Sequence, residues 1–515
     1  MSEIHPQSDK RMIARLLDYA KPYKKQIVIA VLLNIAVAIL LTIRPIFTRI
    51  AIDDYMVESN FDGLRNIALL FLVVILMQAF FQFCLTYLMA WIGQHIIFQI
   101  RTSLYKQTLN LRMKYFDQNP VGQIVTRVTN DINALNDMFS SGIIMIISDI
   151  LIIVFLLICM FCMNIPLSLV TLSILPPLLI ISFIFRSKAR KAFQDTRKHL
   201  GRMNGFMQEH VLGMLIVKIF NREKKEMAAF ADINKDYRGA NIRTIFYYAL
   251  YFPAVELLSS ITMGLIIWYS AGAEFQNAVS PGMLIMFIQF TEMFFRPIYD
   301  LSDKYNLLQN AMAASERIFE LMDNDEIIEN PQNPEPLNVS SKIEFRNVYF
   351  AYNDDDYVLK DFSLTVNPGE TIAIVGATGA GKTTITSLLN RFYEINQGEI
   401  CIDNIDIRKL DKSELRSAIS IVLQNVVLFE GSIKENIRLG NLDISDDEVI
   451  AAAQAVGADQ FISKLPLQYD SIIFEDGASL SVGQKQLISF ARALAYKPQL
   501  LILDEATSNI DTETE

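Results

Sequence analysis

Cysteine is scarce in this sequence: Cys84, Cys159, Cys162 and Cys401 are the only four in 515 residues. Three lie in apolar stretches and only Cys159 and Cys162 are closely spaced. That excludes a disulfide framework and makes the close pair small apolar filler rather than a redox or metal site. An excess of positive charge is also lacking. The formal charge is -10, so a nucleic-acid partner has no global electrostatic support. The stretch Met1 to Lys25 is polar and basic, with no apolar core followed by a small-residue cleavage site. No cleavable signal peptide is therefore expected in this stretch, and insertion is expected to fall to the first hydrophobic segment.

Apolar residues, by contrast, are abundant, at 52% of the chain. A bilayer core of about 30 Å needs about 20 such residues in a helix. Gln26 to Ile43 is uncharged and ends at Arg44-Pro45, and Asn66 to Ile100 carries no Asp, Glu, Lys or Arg. Ile150 to Phe185 is also uncharged but is interrupted at Asn164-Ile165-Pro166, where Asn before X-Pro favours a tight turn, so it reads as a two-helix hairpin. A fifth span covers Ile245 to Ala273 and a sixth Pro281 to Tyr305. Lys and Arg crowd the N-terminal tail and the second-to-third and fourth-to-fifth connections, while the first outer loop holds Asp53, Asp54, Glu58 and Asp62. The positive-inside bias puts both termini in the cytosol. The inner connections Arg101 to Leu111 and Lys188 to Gly239 read as helices running past the lipid. Phe116 to Gly122 reads as a break, and Thr126 to Asp131 as a short cross-helix or, alternatively, a solvated charged face. Ionisable groups within apolar spans are costly and point to function. Glu256 is a substrate-cavity candidate, Asp149 fits the inner interface, and Glu292 with Arg296, four apart, read equally as a local ion pair or a substrate contact.

Composition changes at Asp323-Asn324-Asp325-Glu326 and through Pro331, Pro334 and Pro336, a linker over 323–341 between a membrane domain (1–322) and an α/β domain (342–515). In the latter, Gly376-Ala377-Thr378-Gly379-Ala380-Gly381-Lys382-Thr383 is a P-loop. It follows the apolar strand Thr371 to Val375 and opens a helix from Thr384 to Tyr393. Glycines let the backbone N–H groups turn toward phosphate oxygens, and the helix N-terminus adds positive potential. Lys382 reaches the β- and γ-phosphates of ATP, Thr383 ligates Mg²⁺, and Thr384 stands beside them. Leu500 to Leu503 is an apolar strand ending in Asp504, suited to Mg²⁺, and Glu505, suited to orienting or deprotonating the attacking water.

Leu480-Ser481-Val482-Gly483-Gln484 and the segment after it resemble the signature of ATP-binding cassette (ABC) transporters. The order matches as well: P-loop, Gln424 in Val422-Leu423-Gln424-Asn425, signature, Asp504-Glu505, then Ser508-Asn509-Ile510-Asp511 as D-loop. Tyr352 resembles the aromatic that stacks on adenine. Phe116 to Asp131, and Glu209 with Gly213 to Glu223, are similar to the two intracellular loops whose coupling helices press on the ATPase domains. The resemblance covers nearly the whole chain and implies an all-α six-helix transmembrane domain followed by an α/β P-loop NTPase, incomplete at its C-terminus. It implies a bacterial half-transporter in the inner membrane, exporting a hydrophobic or amphipathic drug or lipid with ATP and Mg²⁺. It also implies pairing with a second half-transporter, identical or related, whose Ser481, Gly483 and Gln484 complete each ATP site. Gln424 would sense the γ-phosphate and the metal. The alternative class is a regulator or nucleotide-gated channel that binds ATP without turnover. An uptake system is disfavoured, because importers of this superfamily generally carry the two parts on separate chains.

Three departures stand out. Val482 occupies a usual glycine position of the signature, and Asn509-Ile510 replaces the commoner Ala-Leu. The sequence stops at Glu515, before the family's switch histidine, while His5, His95, His199 and His210 all lie upstream. The expectation is a fragment of a longer protein, since the other catalytic residues are intact.

Overall fold

A computed structural model describes residues 6–274, 279–337, 342–353, 356–377, 379–474 and 480–504. The chain divides into two compact units, one of Met1–Lys106 with Val125–Asp323, the other of Gln107–Ile124 with Asn324–Glu515.

The first unit is helical. Its apolar runs satisfy their backbone groups internally, the requirement for any segment that lipid surrounds. Helix α1 is Pro6–Ala20, α2 Lys24–Ile50 and α3 Phe61–Asn110. Two short helices follow, α4 (Met113–Gln118), which belongs to the second unit, and α5 (Val121–Thr126), which begins in it. Then come α6 (Ile132–Asp137), α7 (Ile143–Met163), α8 (Ile165–Leu172), α9 (Leu175–Leu212), α10 (Met214–Ile219), α11 (Glu223–Glu274) and α12 (Pro281–Met322). Among the described residues, five helical stretches are long and apolar enough to cross a membrane: Met12–Met56, Phe61–Asn110, Val121–Met163, Ile165–Leu212 and Glu223–Gly272. The six expected crossings are five by this measure, and the remaining expected segment lies in α12, whose side chains are described only in part. Only 6% of the most apolar window of α3 is buried, so its leucines and phenylalanines face outward. Such a surface is unsuited to water over this length.

Local chemistry sets the breaks. Asn164 ends α7 in an extended conformation and caps α8, its side-chain oxygen accepting from Leu167 N at 2.9 Å, with Pro166 in the first turn. The hairpin turn expected there is present. Arg44-Pro45, in contrast, does not end α2, which continues to Ile50 with Pro45 buried. The expected cross-helix at Thr126 to Asp131 is also shifted: the separate short helix is α4, before the break at Asn119-Pro120, while Arg127–Asp131 is a wider turn continuing α5 into α6. At the start of α12, Ser280 caps Met283 N at 3.2 Å, and Asp53 accepts from Gly282 N at 2.7 Å and from the Ser280 hydroxyl.

A core of Leu156, Met160, Leu167, Ile266, Phe287 and Phe290 joins α7, α8, α11 and α12. Helices α9 and α11 run side by side, with Phe185 stacked on Tyr251 at 4.0 Å and Thr196 bonded to Thr244 at 3.1 Å. Two internal ions have partners the local spacing did not disclose. Asp149 pairs with Lys304. Buried Asp131 receives Arg317 through two bonds, Nε at 2.9 Å and Nη2 at 2.5 Å.

Among its described residues the second unit carries two large cores and a small cluster of Val422, Ala493 and Phe490. Strands β1 (Ile343–Ala351), β2 (Tyr357–Val366), β3 (Gln397–Ile402) and β4 (Ile405–Asp406) form an antiparallel sheet in the order β2-β1-β3-β4. Phe345, Phe350 and Ile400 of this sheet pack with Ile385, Leu388 and other apolar residues of α13 (Lys382–Leu389). Helix α14 (Lys412–Ala418) leads into β5 (Ile419–Val422). The second core gathers α15 (Ile433–Arg438), α16 (Asp446–Ala455), α17 (Asp459–Ile462) and α18 (Val482–Ala495), beside the short pair β6 (Gly431–Ser432) and β7 (Ile472–Ile473). Strand β8 (Leu500–Leu503) lies parallel to β5.

One expected strand is not formed. Thr371 to Val375 has no regular structure, and Val375 is 88% exposed. A strand exists only where a neighbour answers its N–H and C=O groups, and no described strand pairs with it. The helix after the P-loop likewise starts at Lys382 and ends at Leu389, short of the expected Tyr393.

Candidate functional site

The parallel register Ile419↔Leu500 to Val422↔Leu503 brings the C-terminal ends of β5 and β8 together, and Asp504 N continues the ladder onto Val422 O at 3.0 Å. Ligands of open α/β sheets gather at the C-terminal ends of such strands. Gln424 stands two residues past the end of β5, and Asp504 one past the end of β8. The Thr383 hydroxyl donates to Asp504 Oδ2 at 3.3 Å. Residues 121 positions apart are thus joined in one cluster.

The loop before α13 turns on two left-handed glycines, Gly379 (φ +85°) and Gly381 (φ +88°). A Cβ on Gly381 would lie 3.0 Å from Leu359 Cδ2 and 3.2 Å from Val358 Cγ1, so both the backbone angle and the close approach demand glycine. Lys382 curls back over the loop and donates from Nζ to Gly376 O at 2.8 Å. Gly376, Ala377, Gly379 and Ala380 are exposed, whereas Gly381 and Thr384 are buried. An open turn of small residues under an ammonium group, at the N-terminus of a helix, fits the polyphosphate of a nucleotide. The Thr383 hydroxyl beside the Asp504 carboxylate is an oxygen pair of the kind Mg²⁺ takes. Thr378 and Glu505, with the D-loop residues Ser508, Asn509, Ile510 and Asp511, lie outside the described residues.

Tyr352 joins the same cluster. Its hydroxyl bonds Thr384 Oγ1 at 3.1 Å, and its ring meets Phe350 and Tyr393 edge to face, at 4.8 and 5.2 Å. The Tyr393 hydroxyl donates to Asp117 in α4. Burial, and then this bond to a carboxylate, pushes the Tyr393 phenol above its ordinary value. Tyr393 is not distinguished by any sequence pattern, whereas Asp117 lies in the Phe116 to Asp131 segment that the sequence likens to an intracellular loop.

Ser481, Gly483 and Gln484 open α18. Ser481 Oγ accepts from Gln484 N at 3.2 Å, and Gln484 Oε1 accepts from Ser481 N at 2.9 Å. This reciprocal capping box is a local function that the Ser-x-x-Gln spacing could have disclosed. Val482, the departure from the signature, is the first helical residue and points to solvent at 59% exposure. The far end of α18 is anchored by Arg492, which donates to Asn436 O at 2.9 Å, and by the bond from the Tyr496 hydroxyl to Arg438 O at 2.8 Å.

In the first unit, Glu256, Glu292 and Arg296 are all exposed. Among the described residues no ion pair joins Glu292 to Arg296, so four-residue spacing alone does not pair them there. At the turn around α10, His210 bonds Glu226 at 2.9 Å, and Leu212, Leu215 and Phe220 are exposed.

The profile of the ABC transporter transmembrane region matches residues 27–298, and that of the ABC transporter ATP-binding part matches residues 359–508. An uncharacterised ABC transporter ATP-binding protein of Bacillus subtilis (strain 168), YknV, is 37% identical over 97% of this chain and 83% of its own length. An ATP-dependent lipid A-core flippase of Syntrophus aciditrophicus (strain SB) is 33% identical over 97% and 83%. A fatty acid ABC transporter ATP-binding/permease protein of Mycobacterium tuberculosis (strain CDC 1551 / Oshkosh) is 37% identical over 82% and 67%.

Proposed function

The chain belongs to the ABC transporters, with a helical transmembrane region followed by an ATP-binding domain, and from that premise we propose that it is one half of a bacterial exporter. It moves a hydrophobic or amphipathic molecule, a lipid or a drug, out across the inner membrane. The relatives named as a lipid A-core flippase and a fatty acid transporter support that substrate class. The observation that carries the reading is the Thr383–Asp504 bond, which assembles phosphate loop and acidic strand end on a chain whose long helices expose apolar faces.

ATP with Mg²⁺ supplies, when bound, the phosphoanhydride bond whose cleavage drives transport. Lys382 and the backbone N–H groups of residues 376–381 hold the phosphates, with Thr384 behind them. Thr383, Gln424 and Asp504 hold the metal, and Tyr352 receives the base. Glu505 orients and deprotonates the attacking water, positioned with Gln424. Ser481, Gly483 and Gln484 act across the interface on the nucleotide of a second chain, identical or related. Six crossings with both termini in the cytosol fit the distribution of Lys and Arg. Glu256, Glu292 and Arg296 face the transport path. Tighter ATP binding by the closed pair shifts the population from inward- to outward-facing.

The test is Mg²⁺-dependent ATP hydrolysis by the full-length protein, switch histidine included, reconstituted in lipid, wild type against Glu505→Gln, with Lys382→Ala as the binding control. Turnover in the wild type, lost in Glu505→Gln with binding retained, supports the exporter. Equal behaviour of wild type and Glu505→Gln would refute it in favour of a non-hydrolysing regulator.

A further inference from the structure

We propose that His210 is a proton-operated clasp: as the imidazolium it ties the end of α9 to the start of α11, and loss of one ring proton frees the turn between them. The inference goes beyond the proposed function, because it concerns how pH sets the order of this turn and involves no nucleotide.

Both ring nitrogens face groups that can only accept. Nδ1 lies 2.9 Å from Phe206 O, and Nε2 lies 2.9 Å from Glu226 Oε2. A neutral imidazole has one N–H and serves one such partner, whereas the imidazolium has two and serves both. The Phe206 ring lies flat against the imidazole, at 3.8 Å and 16°, and its negative face favours a cation. The other oxygen of Glu226 accepts from Arg222 Nε at 3.0 Å. Glu209, on α9, adds a second carboxylate near the ring. Lys218, the one charge of α10, is paired with Glu223 at 3.0 Å, and Lys224 and Lys225 of α11 are exposed.

Little else closes this end of the helix pair. Among the described residues two salt links join α9 to α11: His210–Glu226 and, further from the turn, Arg202–Asp236 at 3.5 Å. Between the links the two helices border a cavity of about 610 Å³, whose walls include Gly205, Phe206, Glu209, Ala229, Asp232 and Ile233. Beyond the clasp, Leu212, Leu215, Ile219 and Phe220 are exposed rather than packed in a core. Gly213 ends α9, and Asn221, at φ +50°, leads the chain into α11. The segment 213–222 therefore hangs between two helix ends that His210 holds together.

His210 stands well past Phe185, where the uncharged run ends, so it lies outside the lipid. The Phe206 carbonyl, and then Glu226, hold its titration above the ordinary value, with desolvation acting against them. A raised imidazole pKa contributes order that is whole below the ordinary value of about 6.5 and lost as pH rises through the raised one.

The experiment is hydrogen exchange of the full chain in detergent, without nucleotide, expressed as protection factors so that the intrinsic pH dependence cancels. In the wild type, protection at 213–222 should fall by about fivefold or more between about pH 5.5 and about pH 8.5. Residues 195–204 should keep theirs. His210→Gln should exchange rapidly at both pH values. His210→Arg, which keeps a cation with several donors, should stay protected at both, a rescue that a merely structural role does not predict. Glu226→Gln should also flatten the profile, and it carries the test if His210→Gln fails to fold. A pH response that survives in His210→Gln or Glu226→Gln overturns the inference, as does a wild type without one or an Arg variant without rescue. With no nucleotide in the measurement, any of these failures leaves the ATPase reading standing.

Discussion

Ser481 has two duties that substitution can pull apart. In the structure its Oγ caps α18 by accepting from Gln484 N, while in the proposed pair of chains its hydroxyl donates to a phosphate oxygen. Ser481→Ala removes both. Loss of the cap costs about 1 kcal/mol, which lowers the melting temperature of a domain of this size by about 2–4 °C. Loss of a hydrogen bond to a charged oxygen costs about 1.5–3 kcal/mol, or about 10- to 150-fold in turnover. Ser481→Asp keeps the cap, since Asp caps as well as Ser and suits the positive helix N-terminus. It also sets a carboxylate against phosphate. At about 4 Å and an effective dielectric constant of about 20, that repulsion is about 4 kcal/mol, close to a thousandfold. Stability should therefore rank Ser with Asp above Ala, and ATP turnover should rank Ser above Ala above Asp. Calorimetric unfolding of the full chain and phosphate release in liposomes measure the two orders. If the Asp variant hydrolyses ATP like the wild type, Ser481 is a helix cap and nothing more.

In the first unit, Arg317→Ala strands the buried Asp131 carboxylate and should cost about 3 kcal/mol, the low end for a broken buried pair because Arg317 is half exposed. Thermal unfolding in detergent measures it, and adding Asp131→Asn should recover part of the loss. In the second unit, Lys497, and then the Ser445 cap, hold Glu448 at about 2 against an ordinary 4.5. A depressed carboxylate contributes stability that is whole above 4.5 and lost as pH falls toward 2. Lys497→Met should thus move the acid-unfolding midpoint, followed by circular dichroism, to higher pH.

Much of the architecture is legible in the residues taken in order. The apolar runs, the break at Asn164, the P-loop with its glycines and the acidic end of β8 all depend on neighbours within a few positions, and local spacing carries that information. The site is legible in its parts for the same reason: each motif has its own strand or helix terminus. The signature's Ser-x-x-Gln even encodes its own helix cap.

Only the tertiary structure decides which parts meet. Thr383 reaches Asp504, Asp149 finds Lys304, Asp131 finds Arg317 and Tyr393 finds Asp117, across separations of 121 to 276 positions. Side-chain chemistry is compatible with many such pairings, and the packing of elements selects one. Thr371 to Val375 shows the same limit from the other direction. Its composition suits a strand, but strand formation belongs to a pair of segments, and no described neighbour supplies the second ladder.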